Sequence, residues 1–432
     1  MATADFWHRV LARVLRPFSK VHPHEAATVV LMTLCAFVLL SSYYLLKTVR
    51  EPLVLLHGGA EVKLYLRAGQ AVLMVGVVDA YSKLARHVGR TKLLASVFLF
   101  FIGNLAVFAL LARAHVEIGV PFFLWVGVFS YTVVAQFWAL AADIYTEEQG
   151  KRLFPIIGGG SSIGAVVGGL FARALVPYGV FTLMATATVM LLGCVVLIRW
   201  IEHRTGAVVV LRADKAQEEP LAAEDPWKTL ARDKYLWFIA GLVVFLNWVN
   251  SSGEYLLDRT VVAAAHDVAA HGGDAHRFIG AFKADYYAWY NGIGLALELF
   301  AVSRILGTVG VRRALFVMPI FALGAYATAM AMPVLAIVRL VKIGENSLQY
   351  SLQDTTRNAL FLVATRVEKF VGKTAVDTVA VRVGAIMSTL TVFIGVHLGW
   401  TTRTFALIDV VLAVVWIGFA VLVAREHRKR SP

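Results

Sequence analysis

SKLARHVGRTKLL, from Ser82 to Leu94, returns 221 residues later as SRILGTVGVRRAL, from Ser303 to Leu315. A second echo sets YLLK (Tyr44 to Lys47) against YLLD (Tyr255 to Asp258), 211 residues on, and Asp143 against Asp354 at the same offset. The ten residues by which the offsets differ fit the polar segment HDVAAHGGDAH, which lies between Asp258 and Lys283. Self-similarity at one long spacing marks an internal parallel repeat, so the chain reads as two copies of one architecture.

That architecture lies in a bilayer. The 432 residues are 59% hydrophobic and 16% charged, with a mean hydropathy of +0.71, far more apolar than one soluble core requires. Hydropathy marks twelve spans, at 27–46, 64–81, 93–112, 120–142, 154–176, 178–200, 235–258, 284–302, 313–331, 333–353, 376–398 and 404–424. The runs are continuous rather than alternating, and helices alone satisfy their own backbone in lipid that way. The expected fold class is therefore an all-α polytopic membrane protein, with twelve transmembrane helices in two pseudo-symmetric six-helix bundles. This is the arrangement of major facilitator transporters, whose halves rock around a site near the bilayer midplane. The expected division is an amphipathic interfacial segment at 1–26, bundles at 27–201 and 235–424, a cytoplasmic linker at 202–234 and a basic tail at 425–432. Within the first segment, Phe6 to Arg16 sets Phe6, Trp7, Val10, Leu11, Val14 and Leu15 opposite His8, Arg9, Arg13 and Arg16, the pattern of a helix lying on the membrane. The first apolar run is too long for a signal peptide and ends in Lys and Arg, so it reads as a retained span.

The net charge of +13 raises the question of a nucleic-acid partner, and its distribution argues against one. On the side of the N-terminus the loops and ends carry 28 Lys and Arg, against 10 in the alternate loops, with Arg339, Lys342 and Arg382 inside spans. That asymmetry places both termini in the cytoplasm, with a bacterial inner membrane as the expected location.

Charges inside or at the edges of spans need a reason to be there. In the tenth span Arg339, Lys342, Asn346, Gln349 and Gln353 recur at steps of three and four, one polar stripe on one helix face. Such a stripe should face a cavity, or else buried partners such as Glu345. Glu254 and Asp258 share a face of the seventh span, and Lys47 and Arg50 share one at the end of the first, beside Glu51. Pseudo-symmetry would set those cations and carboxylates on opposite sides of one cavity; structural salt bridges would read the same. With Arg67 and Gln70 in the second span and Arg382 in the eleventh, six cations suggest a small anionic substrate, because guanidinium groups bind phosphate or carboxylate in bidentate fashion.

Several motifs fail. GGGSSIGAVVGG (Gly158 to Gly169) lacks a GK[ST] ending, and Gly160, Gly164 and Gly168 read as a close helix contact. VGKT (Val371 to Thr374) has Val367 where a nucleotide-hydrolase loop needs glycine, so no enzymatic activity is expected. His266, His271, His276, Asp267 and Asp274 fit no metal-site spacing, and Cys35 and Cys194 stand far apart in sequence, so neither metal, cofactor nor disulfide is implied. Phe282, Tyr286, Tyr287, Trp289 and Tyr290 read first as an interfacial aromatic belt and second as a stacking surface for a base.

With those residues in view, the chain resembles the ATP/ADP translocase family, nucleotide exchangers of the major facilitator type. The resemblance rests on YYLLKTVREPLVL, FWALAADIYTEEQGKRLFPIIGGGSSIGA, GEYLLDRT, FIGAFKADYYAW and YSLQDTTRNALF followed by VGKTAVDTVAVRVGA, five pieces in the family's order. It implies that Arg50 stands at a functional lysine position, Asp143 at a glutamate position, and Glu254 at a retained glutamate. These three would join substrate phosphates or couple the exchange. The chain departs from the family at Ala385, where members carry lysine after the glycine matched by Gly384. Lys47, Arg50 and Glu51 then become the cavity end of a broken first span, with Pro52 ending the helix. The expected function is secondary transport of a phosphate-bearing anion, above all a nucleotide, by alternating access. The expected binding set is Lys47, Arg50, Arg67, Arg339, Lys342, Asn346, Gln349 and Arg382; the coupling set is Glu51, Asp143, Glu254 and Asp258. The alternatives are a proton-coupled facilitator of a smaller organic anion and a transporter-derived sensor or assembly protein without flux. The lipid bilayer is the other expected partner, and the sequence implies no particular oligomeric state.

Overall fold

The computed structural model describes residues 21–87, 90–213, 233–364, 372–373 and 376–430. The expected interfacial helix Phe6 to Arg16 and residues 214–232 of the expected linker lie outside this set. Among the described residues every regular element is helical. We number them α1 (Pro23–His87), α2 (Arg90–Arg113), α3 (Gly119–Ile144), α4 (Glu147–Leu175), α5 (Gly179–Ala213), α6 (Lys234–Ala270) and α7 (Ala275–Leu297). A π-helical turn at Glu298–Val302 leads to α8 (Ser303–Val309), α9 (Val311–Ala314), α10 (Val317–Ala331) and α11 (Leu335–Leu348). A second, Gln349–Gln353, leads to α12 (Asp354–Leu360), and α13 (Val381–His397) and α14 (Thr402–Arg430) follow.

Among the described residues, nine helical stretches are long and apolar enough to cross a membrane, rather than twelve separate ones. Two of them, Pro23–Met74 and Glu148–Thr205, run for 52 and 58 residues, whereas one crossing takes about 20. Spans expected as separate are therefore fused there. The expected tenth span is not among the nine, because α11 has 14 residues and carries Arg339, Lys342 and Glu345. Pro52 does not end the first helix as expected. The helix runs through it and breaks at Gly59, whose φ of 72° and ψ of −177° belong to a region open to glycine alone. Pro52 removes only the hydrogen bond to the Thr48 carbonyl, a loss the flanking turns tolerate.

Local signals set the other ends. Thr146 and Gln149 form a reciprocal capping box at the start of α4, and the Asp233 carboxylate accepts from the Tyr235 N–H at the start of α6. Arg430, in the basic tail, donates to both Asp233 oxygens at 2.6 and 2.7 Å, so the last turn of α14 is tied to the start of α6.

The described residues form two compact units. The first takes those of Met1–Leu53, Val72–Glu218 and His276–Ala288; the second takes those of Val54–Ala71, Glu219–Ala275 and Trp289–Pro432. Each unit thus includes a short segment from the other sequence repeat. In the first unit α2 packs along α5 and both meet α3, around a core that includes Phe98, Phe101, Leu105, Phe122, Val126 and Phe129. The front of α1 lies against α4 through Gly160, Gly164 and Gly168, which face the backbone at Thr33, Phe37 and Ser41. A Cβ added at Gly160 would come 2.6 Å from the Thr33 carbonyl oxygen, and the Ser41 hydroxyl donates to the Gly164 carbonyl at 2.9 Å. Cys35 and Cys194, distant in sequence, meet here: both are buried and free, and the Cys194 thiol approaches the Cys35 carbonyl at 3.9 Å. In the second unit α6 packs against α11, α13 and α14, and α10 packs along α14. Gly384 of α13 faces the Val244 carbonyl of α6. The pairings α1 with α4 and α2 with α5 in one unit therefore recur as α6 with α13 and α10 with α14 in the other, which is the sequence repeat expressed as packing.

Candidate functional site

In the second unit, the stretch of α1 after Pro52 runs antiparallel to α6, and charged side chains one turn apart on each helix meet in register. Lys63 Nζ lies 2.7 Å from Asp258 Oδ2, with both side chains almost fully buried. One turn further, Arg67 lies 3.9 Å from Glu254, and its side chain keeps 33% of its exposure. Four residues forward on one helix is four back on the other, as an antiparallel pair with 3.6 residues per turn requires. Nearby, the Tyr255 hydroxyl donates to Glu61 at 3.0 Å.

The polar stripe of α11 meets the same face of α6. Lys342 is fully buried; its ammonium donates to Glu345 at 2.8 Å and to the Asn250 carbonyl at 3.1 Å, and lies 3.8 Å from Glu254. Asn346 donates to Glu254 at 3.0 Å, and the Asn250 amide donates to Asn346 at 2.9 Å and to Gln349 at 2.6 Å. Tyr326 of α10 donates its hydroxyl to the Glu345 oxygen that Lys342 also holds. Glu254, Lys342, Asn346 and Gln349 are thus one hydrogen-bonded network. Of its cations Lys342 is enclosed, whereas Arg67 reaches the exposed edge.

The first unit holds the end of the first span in a similar way. Glu51 is fully buried between Arg50, at 2.7 Å, and Lys283 of α7, at 3.8 Å. The Arg50 guanidinium also covers the Phe123 ring, 4.6 Å from its centroid. Lys47, one turn before Glu51, sits 4.3 Å from the Tyr287 ring centroid and 5.2 Å from that of Tyr44, close enough for cation–π attraction. These contacts match charge inside each unit. Glu51 and Lys283 serve the first, and Lys63, Arg67 and Lys342 serve the second.

The remaining candidates are dispersed. Arg339 is half-buried on α11, and Arg382 is exposed on α13 and forms no ion pair among the described residues. Asp143 is half-buried at the end of α3. Its repeat counterpart Asp354 follows the π-helical turn, where burial raises its carboxyl above the usual range, Arg357 opposes that and Asp377 adds to it. The aromatic cluster is not an interfacial belt: Phe282, Tyr286, Tyr287 and Tyr290 are buried in protein and only Trp289 is exposed. A belt residue needs its ring at the headgroups, and these rings are spent on neighbouring side chains.

Lys63, Lys283 and Asp409 are among the buried charges that sequence reasoning missed. Each lysine stands one residue before an expected span, 64–81 and 284–302, so hydropathy assigned both to loops. Their like position in the two repeats was the available signal. Asp409 interrupts the apolar run FALIDVVLAVVWIGFA (Phe405 to Ala420), and an acid inside a span was legible as such.

Comparison with solved structures shows the fold. The nucleoside transporter NupG superposes with a TM-score of 0.63 at 10% identity, over 91% of this chain and 98% of that one. The POT family transporter PepTSo gives 0.62 at 11%, over 94% and 99%. A bacterial homolog of the human lysosomal transporter Spinster, inward-facing and unoccupied, gives 0.60 at 12%, over 95% and 100%. These are transporters of the major facilitator type. No curated protein sequence matches the chain. The family model described as TLC ATP/ADP transporter matches residues 9–117 and 122–427. With a match over nearly its whole length and apolar helices throughout, this integral membrane transporter belongs to the TLC ATP/ADP transporter family.

Proposed function

We propose that the chain moves a phosphate-bearing anion, a nucleotide in ATP/ADP-type exchange, by alternating access across a bacterial inner membrane, with both termini cytoplasmic. The observation that carries this reading is the family match over 9–117 and 122–427. The chemistry of the second unit supports it: Arg67 is partly exposed beside Glu254, and Glu254 is hydrogen-bonded to Asn346. An arriving phosphate competes with Glu254 for Arg67, so the carboxylate holds the cation when the site is empty and releases it to the substrate. Arg339 and Lys342 are the further cations proposed to face the phosphates, with Lys47 and Arg50 in the first unit. The likeness to a nucleoside transporter is consistent with such a substrate.

The test is counterflow. Proteoliposomes holding the purified chain and loaded with ADP should take up labelled ATP, and unlabelled ATP, but not dicarboxylates, should compete. No nucleotide counterflow from protein that moves a smaller anion overturns the exchange reading. That outcome would favour the second reading, a proton-coupled carrier of a smaller organic anion, which has one observation behind it: the family's lysine is Ala385 here. Orientation is tested separately, since a cysteine placed at Ala270, the last residue of α6, should react only from the periplasmic side.

A further inference from the structure

Asp409 sits on α14 with its side chain fully buried, and neither carboxylate oxygen has a hydrogen-bond partner. The groups facing it are those of the polar network. From α6 comes Ser252, whose hydroxyl is the polar group nearest to bonding it but stands outside strict hydrogen-bond geometry; from α10 comes Tyr326; from α11 come Lys342 and Glu345. The basic residues of α9, Arg312 and Arg313, are exposed, and Arg312 acts on His427 at the far end of α14.

Counting charge in this interior gives one acid too many. Lys342 matches Glu345, and Arg67 stands by Glu254, which leaves Asp409 with no cation of its own, only the shared attraction of Lys342. An ionised carboxylate this deeply buried, beside the Glu345 carboxylate and with the nearest cation already committed to Glu345, is strongly disfavoured; such a group takes a proton instead.

We propose that Asp409 is a proton-binding site of the second unit, loaded and emptied in the transport cycle. Loading adds one proton from water to a carboxylate oxygen as O–H, emptying returns it to water, and no other reactant is needed. The site is connected rather than isolated. Tyr326 and Glu345 face it, Lys342 bridges Glu345 to Glu254, and Glu254 reaches the partly exposed Arg67. An anion bound at Arg67 and Lys342 draws positive charge from the carboxylates and so favours the protonated form of Asp409; by linkage the proton favours the anion equally. The coupling, though not the proton site itself, rests on the proposed role of those two cations in anion transport.

Two measurements separate the claims. Infrared difference spectra of the lipid-reconstituted protein over a pH series need no substrate. The wild type should show the carbonyl band of a protonated carboxylic acid at neutral pH, Asp409→Asn should lose it, and Glu345→Gln should keep it. An unchanged band in Asp409→Asn overturns the proton site. If that variant does not fold, Ser252→Ala serves instead, since removing the facing hydroxyl should shift the band, and an unshifted band counts against Asp409. Coupling is read from a pH-sensitive dye inside proteoliposomes. ATP added outside should drive proton movement with wild type, and Asp409→Asn should bind ATP and lose that movement. Exchange without proton movement in wild type overturns coupling. A wild type that moves no nucleotide at all defeats the nucleotide reading, while the infrared measurement still decides the proton site.

Discussion

Lys63 and Asp258 form an ion pair at 2.7 Å with side-chain exposures of only 2% and 3%, joining the stretch after Pro52 to α6 within one unit. Removing one partner takes the nearest counter-charge from a buried ion, a change that costs about 3–5 kcal/mol, whereas replacing both with apolar residues of similar volume is often nearly neutral. Asp258→Leu and Lys63→Met should each sharply lower the melting temperature of the detergent-solubilised protein, and the double variant should recover most of it. Additive losses in the double variant would show that each residue acts alone.

Gly59 carries the break in α1 at φ 72° and ψ −177°, where a Cβ is strained whatever room surrounds it. Gly59→Ala should destabilise by about 1–3 kcal/mol. Gly103, helical and with open space at its Cβ position, supplies the control, since its alanine should be neutral or mildly stabilising. A thermal-shift comparison of the two in one detergent reads the difference.

The repeat and the hydropathy runs made the fold class legible, because both are properties of sequence spacing alone. The paired charges were only half legible. Glu254, Asp258, Lys342 and Asn346 stood out as polar residues on helical faces, but their partners depend on which helices pack together. That pairing did not follow chain order: residues 54–71 pack with the second unit and 276–288 with the first, a reciprocal exchange between the two repeats. Lys63 and Lys283 were hidden at span edges for the same reason, since a hydropathy window cannot tell a lysine in water from one enclosed by another helix. Pro52 misled because a proline removes only one backbone hydrogen bond and a long helix absorbs that loss, whereas Gly59 breaks the helix through its backbone angles.

Ala385 follows Gly384, whose missing Cβ lets α13 approach the Val244 carbonyl of α6. The resemblance to nucleotide exchangers implies a lysine at this position, so its absence should lower the preference for highly charged phosphates. Ala385→Lys should tighten ATP binding by about 1.5–3 kcal/mol if the ammonium reaches a phosphate, and should change AMP binding less. Calorimetric titration with ATP and AMP measures both. Equal gains for the two ligands would reduce the effect to general attraction between the added charge and any anion.

Glu254 is the acid on which the proposed exchange turns. Its carboxylate is 3.9 Å from Arg67 and 3.8 Å from Lys342 and accepts from Asn346 at 3.0 Å, so it holds the two cations proposed to meet a phosphate. Glu254→Gln keeps the shape and one acceptor oxygen but removes the charge, which frees Arg67 in particular, the more exposed of the two. Anion binding should then tighten by about 1 kcal/mol, several-fold in affinity, because the substrate no longer competes with a resident carboxylate. Exchange should slow for the same reason. With no carboxylate at position 254 to take Arg67 back, substrate leaves more slowly. Equilibrium binding and counterflow rates on the same reconstituted variant give the two readouts. Tighter binding with slower exchange is the expected pair, whereas unchanged values of both would make Glu254 a structural acid that fixes Lys342 and Asn346 in place.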